Sequence, residues 1–389
     1  MNNIAPTLDY NERPFLVIWE VTQACDLACK HCRASAQPLR NPQELSTEEG
    51  KGLIDQVADM KAPLFVFTGG DPIKRPDLFE LVRHAVGRGV HTALTPSATP
   101  LLTREVIVRL KEAGLARLAV SLDGSRAEIH DAVRGVTGSY ERTLDAIRSA
   151  NEAGLPIQVH TTVSRHNAGD LDRLAERLSD MAIVMWSVFF LVPLGRGKID
   201  DLPSGEEFER IFAKLFELSK RVPFQIKTTE AMHYRRYLTQ HNAAERAQGA
   251  TPIDPASGRA KAIGWATRRV NDGRGFVFVS HTGNVYPSGF LPLKGGNVRE
   301  QSLSRIYQES SVFCQLRDLT LLKGKCGACE FKQICGGSRA RAYALTGDFL
   351  AEEPCCVYQP RGYTSPNTRV AGDRGSSAAT VEAGVEPTA

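Results

Sequence analysis

The cysteines carry the first chemical signal. The chain holds nine of them, and eight fall into two groups. Cys25, Cys29 and Cys32 stand within eight residues, in ACDLACKHC. Cys326, Cys329 and Cys335 follow one another in CGACEFKQICGG, with the adjacent pair Cys355 and Cys356 some twenty residues later. Three thiolates at x3 and x2 spacing can close around one centre. That suits a four-iron cluster with one iron left open, or a zinc ion with an open position. The second group has enough thiols for a complete iron–sulfur or structural zinc site. An odd count, with no basic-then-apolar leader in MNNIAPTLDYNERPF, speaks for reduced, metal-binding thiols rather than a disulfide scaffold. Cys314, in VFCQLRD, stands apart and reads as a small buried hydrophobe on the apolar side of a short helix.

The elements that must present these thiols alternate. Apolar runs at 15–22, 64–68, 90–95, 115–123, 156–163 and 183–192 read as strands. Helical patterns lie between them: one opened by Ser46 with Glu49 as a capping box, one near 76–87, one capped by Thr103, then 139–153 and 170–180. Six such repeats imply a parallel sheet covered by helices, either doubly wound or a partial barrel. The residues that stand out cluster just after the strands: the first cysteine group, Gly69-Gly70-Asp71, Ser97, Ser121 with Asp123, and Thr161-Thr162. The carboxyl ends of parallel strands are where such folds bind ligands.

In this order the motifs resemble the radical S-adenosylmethionine (SAM) enzymes, over about residues 15–195. The resemblance implies an α/β fold: a partial (β/α)6 TIM-like barrel with a C-terminal iron–sulfur auxiliary domain. It implies that Cys25, Cys29 and Cys32 hold a [4Fe–4S] cluster whose open iron takes SAM. Gly69, Gly70 and Asp71 match the turn that receives the SAM amino group, with Asp in place of the more usual Glu. Ser97, Ser121 and Asp123 match polar residues near SAM, His31 the residue near adenine, and Arg134 a candidate for the SAM carboxylate. No catalytic residue is assigned beyond the cluster.

The C-terminal group resembles the SPASM module, with informative departures. Ser288 stands where that module's VYPCG motif has cysteine, and Arg339 stands four residues after Cys335, where another is usual. The expectation is therefore one auxiliary [4Fe–4S] cluster, on Cys326, Cys329, Cys335 and Cys356, with Cys355 as the alternate. The implied organisation is an N-terminal extension (1–14), the barrel (15–195), a bridging or substrate region (196–275), the auxiliary domain (276–360) and a disordered tail (361–389). Within the bridging region, the polar stretch 240–262 reads as a loop or lid. FVFVSHTGNVYPSG (276–289) reads as a hairpin turning at Thr282-Gly283-Asn284.

For the substrate, the pattern resembles enzymes of heme and heme d1 synthesis and, second, maturases of ribosomal peptides such as mycofactocin. Arg196, His233 and Arg235 are the candidate residues for holding substrate carboxylates, beside Arg236 and Glu230. Only about fourteen residues precede the first strand, which favours a small or tetrapyrrole-like substrate over a peptide that needs a leader-binding domain. A non-catalytic zinc module is the remote alternative. A net charge of +4 gives no reason to expect nucleic acid, and no apolar run is long enough for a membrane helix. A cytoplasmic location and an electron donor such as a ferredoxin or flavodoxin complete the expectation. GGSRA (336–340) approaches a nucleophile elbow but lacks the last glycine and a preceding strand.

Overall fold

A computed structural model of the chain describes residues 8–247 and 269–364. All six expected strands are present: β1 (Leu16–Glu20), β2 (Leu64–Thr68), β3 (Thr92–Leu94), β4 (Arg117–Ser121), β5 (Ile157–Val163) and β6 (Met185–Phe190). The helices between them are α1 (Thr47–Asp59), α2 (Leu78–Gly87), α3 (Arg104–Glu112), α4 (Ala127–Arg134), α5 (Ser139–Glu152) and α6 (Leu171–Ser179). The capping box is formed as expected. Ser46 Oγ accepts from the Glu49 N–H, and the Glu49 carboxylate accepts from the Ser46 N–H.

The sheet goes further than six strands. After α7 (Gly205–Ser219) comes β7 (Gln225–Thr229), parallel to β6, and then α8 (Tyr234–Ala247). On the other flank β8 (Phe276–Val279) runs parallel to β1 and turns into β9 (Asn284–Tyr286), the expected hairpin, with β10 (Gly296–Asn297) beyond. The strand order is β10-β9-β8-β1-β2-β3-β4-β5-β6-β7, a partial barrel of eight parallel strands with a short antiparallel extension. The last helices among the described residues are α9 (Leu303–Glu309), α10 (Ser311–Arg317), α11 (Gly324–Ala328) and α12 (Arg339–Thr346). Of the expected lid, 240–247 belong to α8; the rest of that stretch, and the expected tail from 365 onward, lie outside the described residues. Among the described residues no helix is long and apolar enough to cross a membrane.

Each strand serves two faces. Val17, Trp19, Phe65, Phe67, Val120, Val159, Trp186 and Val188 point outward under the helices and are fully buried. The alternate residues line a hollow inside the barrel, so β5 shows a strict buried/half-buried alternation. Cys314 corrects an expectation: it is exposed. The buried stripe of α10 is Val312, Phe313 and Leu316, which turns Cys314 to the other side, where its thiol donates to the Gln308 carbonyl (3.2 Å).

β7 does not pair with β8, so the barrel has a seam. The C-terminal segment covers it through one buried ion pair. Arg341 Nε donates to Glu353 Oε1 at 2.8 Å, with both residues at most 1% exposed. The same guanidinium donates to the Leu191 carbonyl after β6 and the Glu230 carbonyl after β7. On the other side of the seam, Asp272, just before β8, accepts from the backbone N–H groups of Arg339 and Ala340 at the start of α12. Burial pushes the Glu353 pKa up, but Arg341 and the hydrogen bonds around the carboxylate hold it down at about 2.

Removing one partner would strand a buried charge. Arg341→Met should therefore cost about 3–5 kcal/mol, and the paired change Arg341→Met/Glu353→Leu distinctly less, both read by denaturant unfolding. Because the folded pKa is depressed, the contribution of Glu353 is complete above its unfolded value. It should be lost as pH falls from about 4.5 toward 2.

Candidate functional site

The first cysteine group sits on the loop that leaves β1, and that loop is stitched down by backbone hydrogen bonds from three neighbours. The turn after β2 continues the strand ladder: Gly70 N–H donates to the Thr22 carbonyl (2.8 Å) and Asp71 N–H to the Ala24 carbonyl (2.6 Å). A Cβ on Gly70 would lie 2.5 Å from the Gln23 carbonyl oxygen, so glycine is required for this approach. The end of α4 accepts from the loop, Ala28 N–H to Arg134 O (3.1 Å) and Lys30 N–H to Val133 O (2.9 Å). Gly135 then turns away at φ +70°, where a Cβ would meet the Ala28 carbonyl at 2.7 Å. From the loop after β6, Arg196 donates through its backbone N–H to Cys32 O (3.0 Å) and through Nε to Cys29 O (2.9 Å).

Cys25, Cys29 and Cys32 thereby line a cleft of ≈ 190 Å³ at the carboxyl ends of the strands. Gly69, Gly70, Ser97, Ser121, His31, Arg134 and Arg196 line it with them. Ser97 Oγ donates to the Gly70 carbonyl (2.8 Å) and lies 3.4 Å from Cys25 Sγ. Two expected residues lie beneath the cleft rather than in it. Asp71 accepts from Thr99 Oγ1 (2.7 Å) and the Ile73 N–H (3.2 Å), and burial pushes its pKa up to about 6. Asp123 accepts from the Thr162 N–H (2.7 Å) and pairs with Arg134 Nη2 (2.6 Å). Arg134 also reaches Cys29 Sγ, at 3.6 Å, so its charge is shared between a carboxylate and a thiol. Burial pushes His31 down to about 4, which leaves its ring neutral at pH 7.

Among the described residues no three Cys, His, Asp or Glu side chains converge closely enough for a single metal ion.

The second group converges too. Cys326, Cys329, Cys335 and Cys356 face one small chamber, together with His233, Arg236 and Lys325. Cys355 turns the other way, into the barrel core beside Arg341. Burial pushes Cys329, Cys335 and Cys356 upward, Cys356 to about 12, so these thiols stay protonated at neutral pH unless a metal displaces their protons. Ser288 and Arg339, the two positions without the usual cysteine, both meet Asp272. The carboxylate accepts from the Arg339 N–H and faces the Ser288 hydroxyl.

The substrate candidates read from the sequence are placed differently from the expectation. His233 is buried against Phe208 and Phe212 beside the four-cysteine chamber, and burial lowers its pKa to about 3. Arg235 reaches the barrel interior, but its Nη atoms donate to the Ile334 (3.1 Å) and Val270 (2.7 Å) carbonyls. Arg236 pairs with Glu209, and Arg196 secures the cluster loop. The hollow of the barrel is a chamber of ≈ 320 Å³ that shares Arg33, Thr68, Thr95, His160, Phe189 and Phe290 with the cleft, so the two adjoin. His160, Arg117 and Lys227 line this chamber. The sequence reading passed over them, although the alternation of Gln158, His160 and Thr162 along β5 was a visible sign of an inward polar face.

Known proteins agree with this geometry. Residues 19–178 match the family described as the radical SAM superfamily. Over 347 residues the chain is 42% identical to an AdoMet-dependent heme synthase of Methanosarcina barkeri, covering 89% of this chain and 97% of the relative. The chain belongs to the radical SAM superfamily. It is an enzyme, and the family implies a [4Fe–4S] cluster and SAM. A PqqA peptide cyclase of Rhodopseudomonas palustris is 31% identical over 89% of this chain and 88% of its own length. The solved structure of Streptococcus suis SuiB bound to S-adenosylmethionine shares the fold, with a TM-score of 0.67 at 15% identity over 89% of this chain and 78% of SuiB.

Gly135→Ala should lower the iron retained per chain and blue-shift or weaken the cluster absorbance, because the new methyl group displaces the Ala28 carbonyl in the cysteine loop. Gly52→Ala, in α1 with nothing within 4 Å of its Cβ, is the matched control. It should leave iron unchanged and raise stability by about 1 kcal/mol.

Proposed function

We propose that this enzyme uses SAM to modify a carboxylate-bearing side chain of a tetrapyrrole, most directly by oxidative decarboxylation. The observation that carries the reading is the wall shared by the three-thiol cleft and the barrel chamber, six residues of which line both, so that a ligand in one would lie next to a ligand in the other. The 42% identity to a heme synthase supports the substrate class. The similarity to a peptide cyclase supports a ribosomal peptide as the second reading.

In this reading Cys25, Cys29 and Cys32 hold the [4Fe–4S] cluster, and the backbone of Gly69 and Gly70 with Ser97 and Ser121 receives SAM. When bound, the cluster and SAM would supply, with one electron from a reduced donor, the radical chemistry that removes a hydrogen atom from the substrate. The protein's own residues set the conditions. Arg134, oriented by Asp123, offsets the charge of the Cys29 thiolate. Neutral His31 closes one edge of the cleft without adding charge. Phe189 and Phe290, at the junction of cleft and chamber, form an apolar wall that keeps water from the reacting atoms.

One auxiliary [4Fe–4S] cluster on Cys326, Cys329, Cys335 and Cys356 would supply electron transfer beside the barrel seam. The Asp272 network around Ser288 and Arg339 supports one such cluster rather than two. The division into a six-strand SAM-binding part (15–195), a bridging region (196–275) and an auxiliary domain (276–360) belongs to the same proposal, with the correction that β7 and β8, from the second and third segments, join the barrel sheet. So do a cytoplasmic location and a ferredoxin or flavodoxin as electron donor.

Anaerobic reconstitution should give about eight irons per chain, for two four-iron clusters. Cys355→Ala should keep that number, whereas Cys356→Ala should lower it. Formation of 5′-deoxyadenosine should vanish in Cys25→Ala, Cys29→Ala and Cys32→Ala; its persistence in all three would sink the assignment. Deuterium should pass into 5′-deoxyadenosine from a side-chain-labelled porphyrin. Transfer from a labelled peptide instead would favour the second reading.

A further inference from the structure

The barrel chamber contains positive charge that nothing in the described chain answers. By strand register, Ser121, His160, Ser187 and Lys227 stand side by side on β4, β5, β6 and β7, and His160, Ser187 and Lys227 line the chamber. The Lys227 side chain has no hydrogen bond or ion pair among the described residues, and the charges that act on it, Arg235 and Arg117, are both cations. Arg117 donates one hydrogen bond, to the Gln158 side chain (3.2 Å), and its buried Nε has no partner. The chamber's other cations are satisfied: Arg33 pairs with Glu20, and Arg235 is held by two carbonyls. The carboxyl group that borders the space, Glu230, takes the Ser338 hydroxyl, and burial pushes its pKa well above the usual range, toward the neutral form.

A half-buried lysine without a counterion among the described residues weakens the fold, and its ammonium is correspondingly easier to discharge. Burial and the two arginines bring its pKa down to about 8. Such a cost persists where a ligand supplies the missing charge. We propose that Lys227, with Arg117 beside it, receives a carboxylate of the substrate inside the barrel and thereby selects acidic side chains. This rests on the tetrapyrrole reading for the identity of the ligand, but not for the existence of the anion site.

The test uses the reconstituted full-length enzyme and an optical titration with an iron porphyrin carrying four propionates, against its tetramethyl ester. Wild type should bind the acid at least about tenfold more tightly than the ester, the scale of a charge-assisted hydrogen bond. Lys227→Met should abolish that preference and Lys227→Arg should keep it. Lys227→Met should also raise Tm without ligand, because it removes an unpaired, half-buried charge. A lower Tm would mean that the lysine has a structural partner, and would overturn the proposal. A preference that survives in both Lys227→Met and Arg117→Met, or one absent from wild type, overturns it while leaving the tetrapyrrole reading intact. If wild type binds neither porphyrin, the tetrapyrrole reading fails, and a glutamate-containing peptide decides the site. Weaker peptide binding in Lys227→Met retains the site for a peptide carboxylate, and unchanged binding overturns it.

Discussion

The buried pair of Arg341 and Glu353 is the constraint on which the rest of the structure turns. An open parallel sheet leaves unpaired backbone groups at its edge, and here the edge lies beside the chamber. Arg341 closes that edge by donating to carbonyls that follow β6 and β7, while Glu353 keeps its charge compensated where water is excluded. The same carboxylate accepts from the Ser338 N–H, and the Glu353 N–H lies 3.3 Å from Cys326 Sγ. One ion pair thus fixes the seam and the first cysteine of the auxiliary group together. A hydrophobic pair could fill the same volume, often at no loss of stability. It could not bridge two strand ends and a cysteine loop, which points to placement as the reason for the charges.

The alternation of strands and helices was legible because each signal is local. Ser46 with Glu49, or Thr103 before α3, needs only the next turn of chain to work. Other elements lacked such signals. α4 is eight residues long and has no side-chain cap, and β7 is a short run of half-buried residues, so neither stood out from its surroundings. The first cysteine group was legible for a related reason: residues that one loop brings to one cleft stand close together in sequence. Of the adjacent pair, Cys356 faces the four-cysteine chamber and Cys355 faces the core.

The substrate residues were the least legible part. A cation is available for substrate only if nothing else holds it, and what holds it can lie far away in the chain. Arg196 is engaged by a carbonyl 167 residues away and Arg235 by one 99 residues away. Lys227, eight residues before Arg235, is the one whose side chain the described fold leaves without a partner. Composition told nothing of this, since the three residues look equally basic in sequence.

The chamber also shows how the chain separates stability from function. Parallel barrels of this kind usually fill their interiors with layers of branched aliphatic side chains. Here Ala93, Ala119, Gln158, His160, Ser187 and Lys227 face inward, and they leave the space open. The loss of inner packing is offset outside, where Val159, Trp186 and Val188 are fully buried beneath the helices. Because side chains alternate across a strand, neighbouring residues can answer to different demands. Val159 and Thr161 support the sheet, the latter by accepting from Trp186 Nε1 at 2.8 Å, while His160 between them faces the chamber. A strand with this period can change its ligand-facing side chains without disturbing the core. That independence lets one barrel line its interior with polar side chains while its helices stay packed as before.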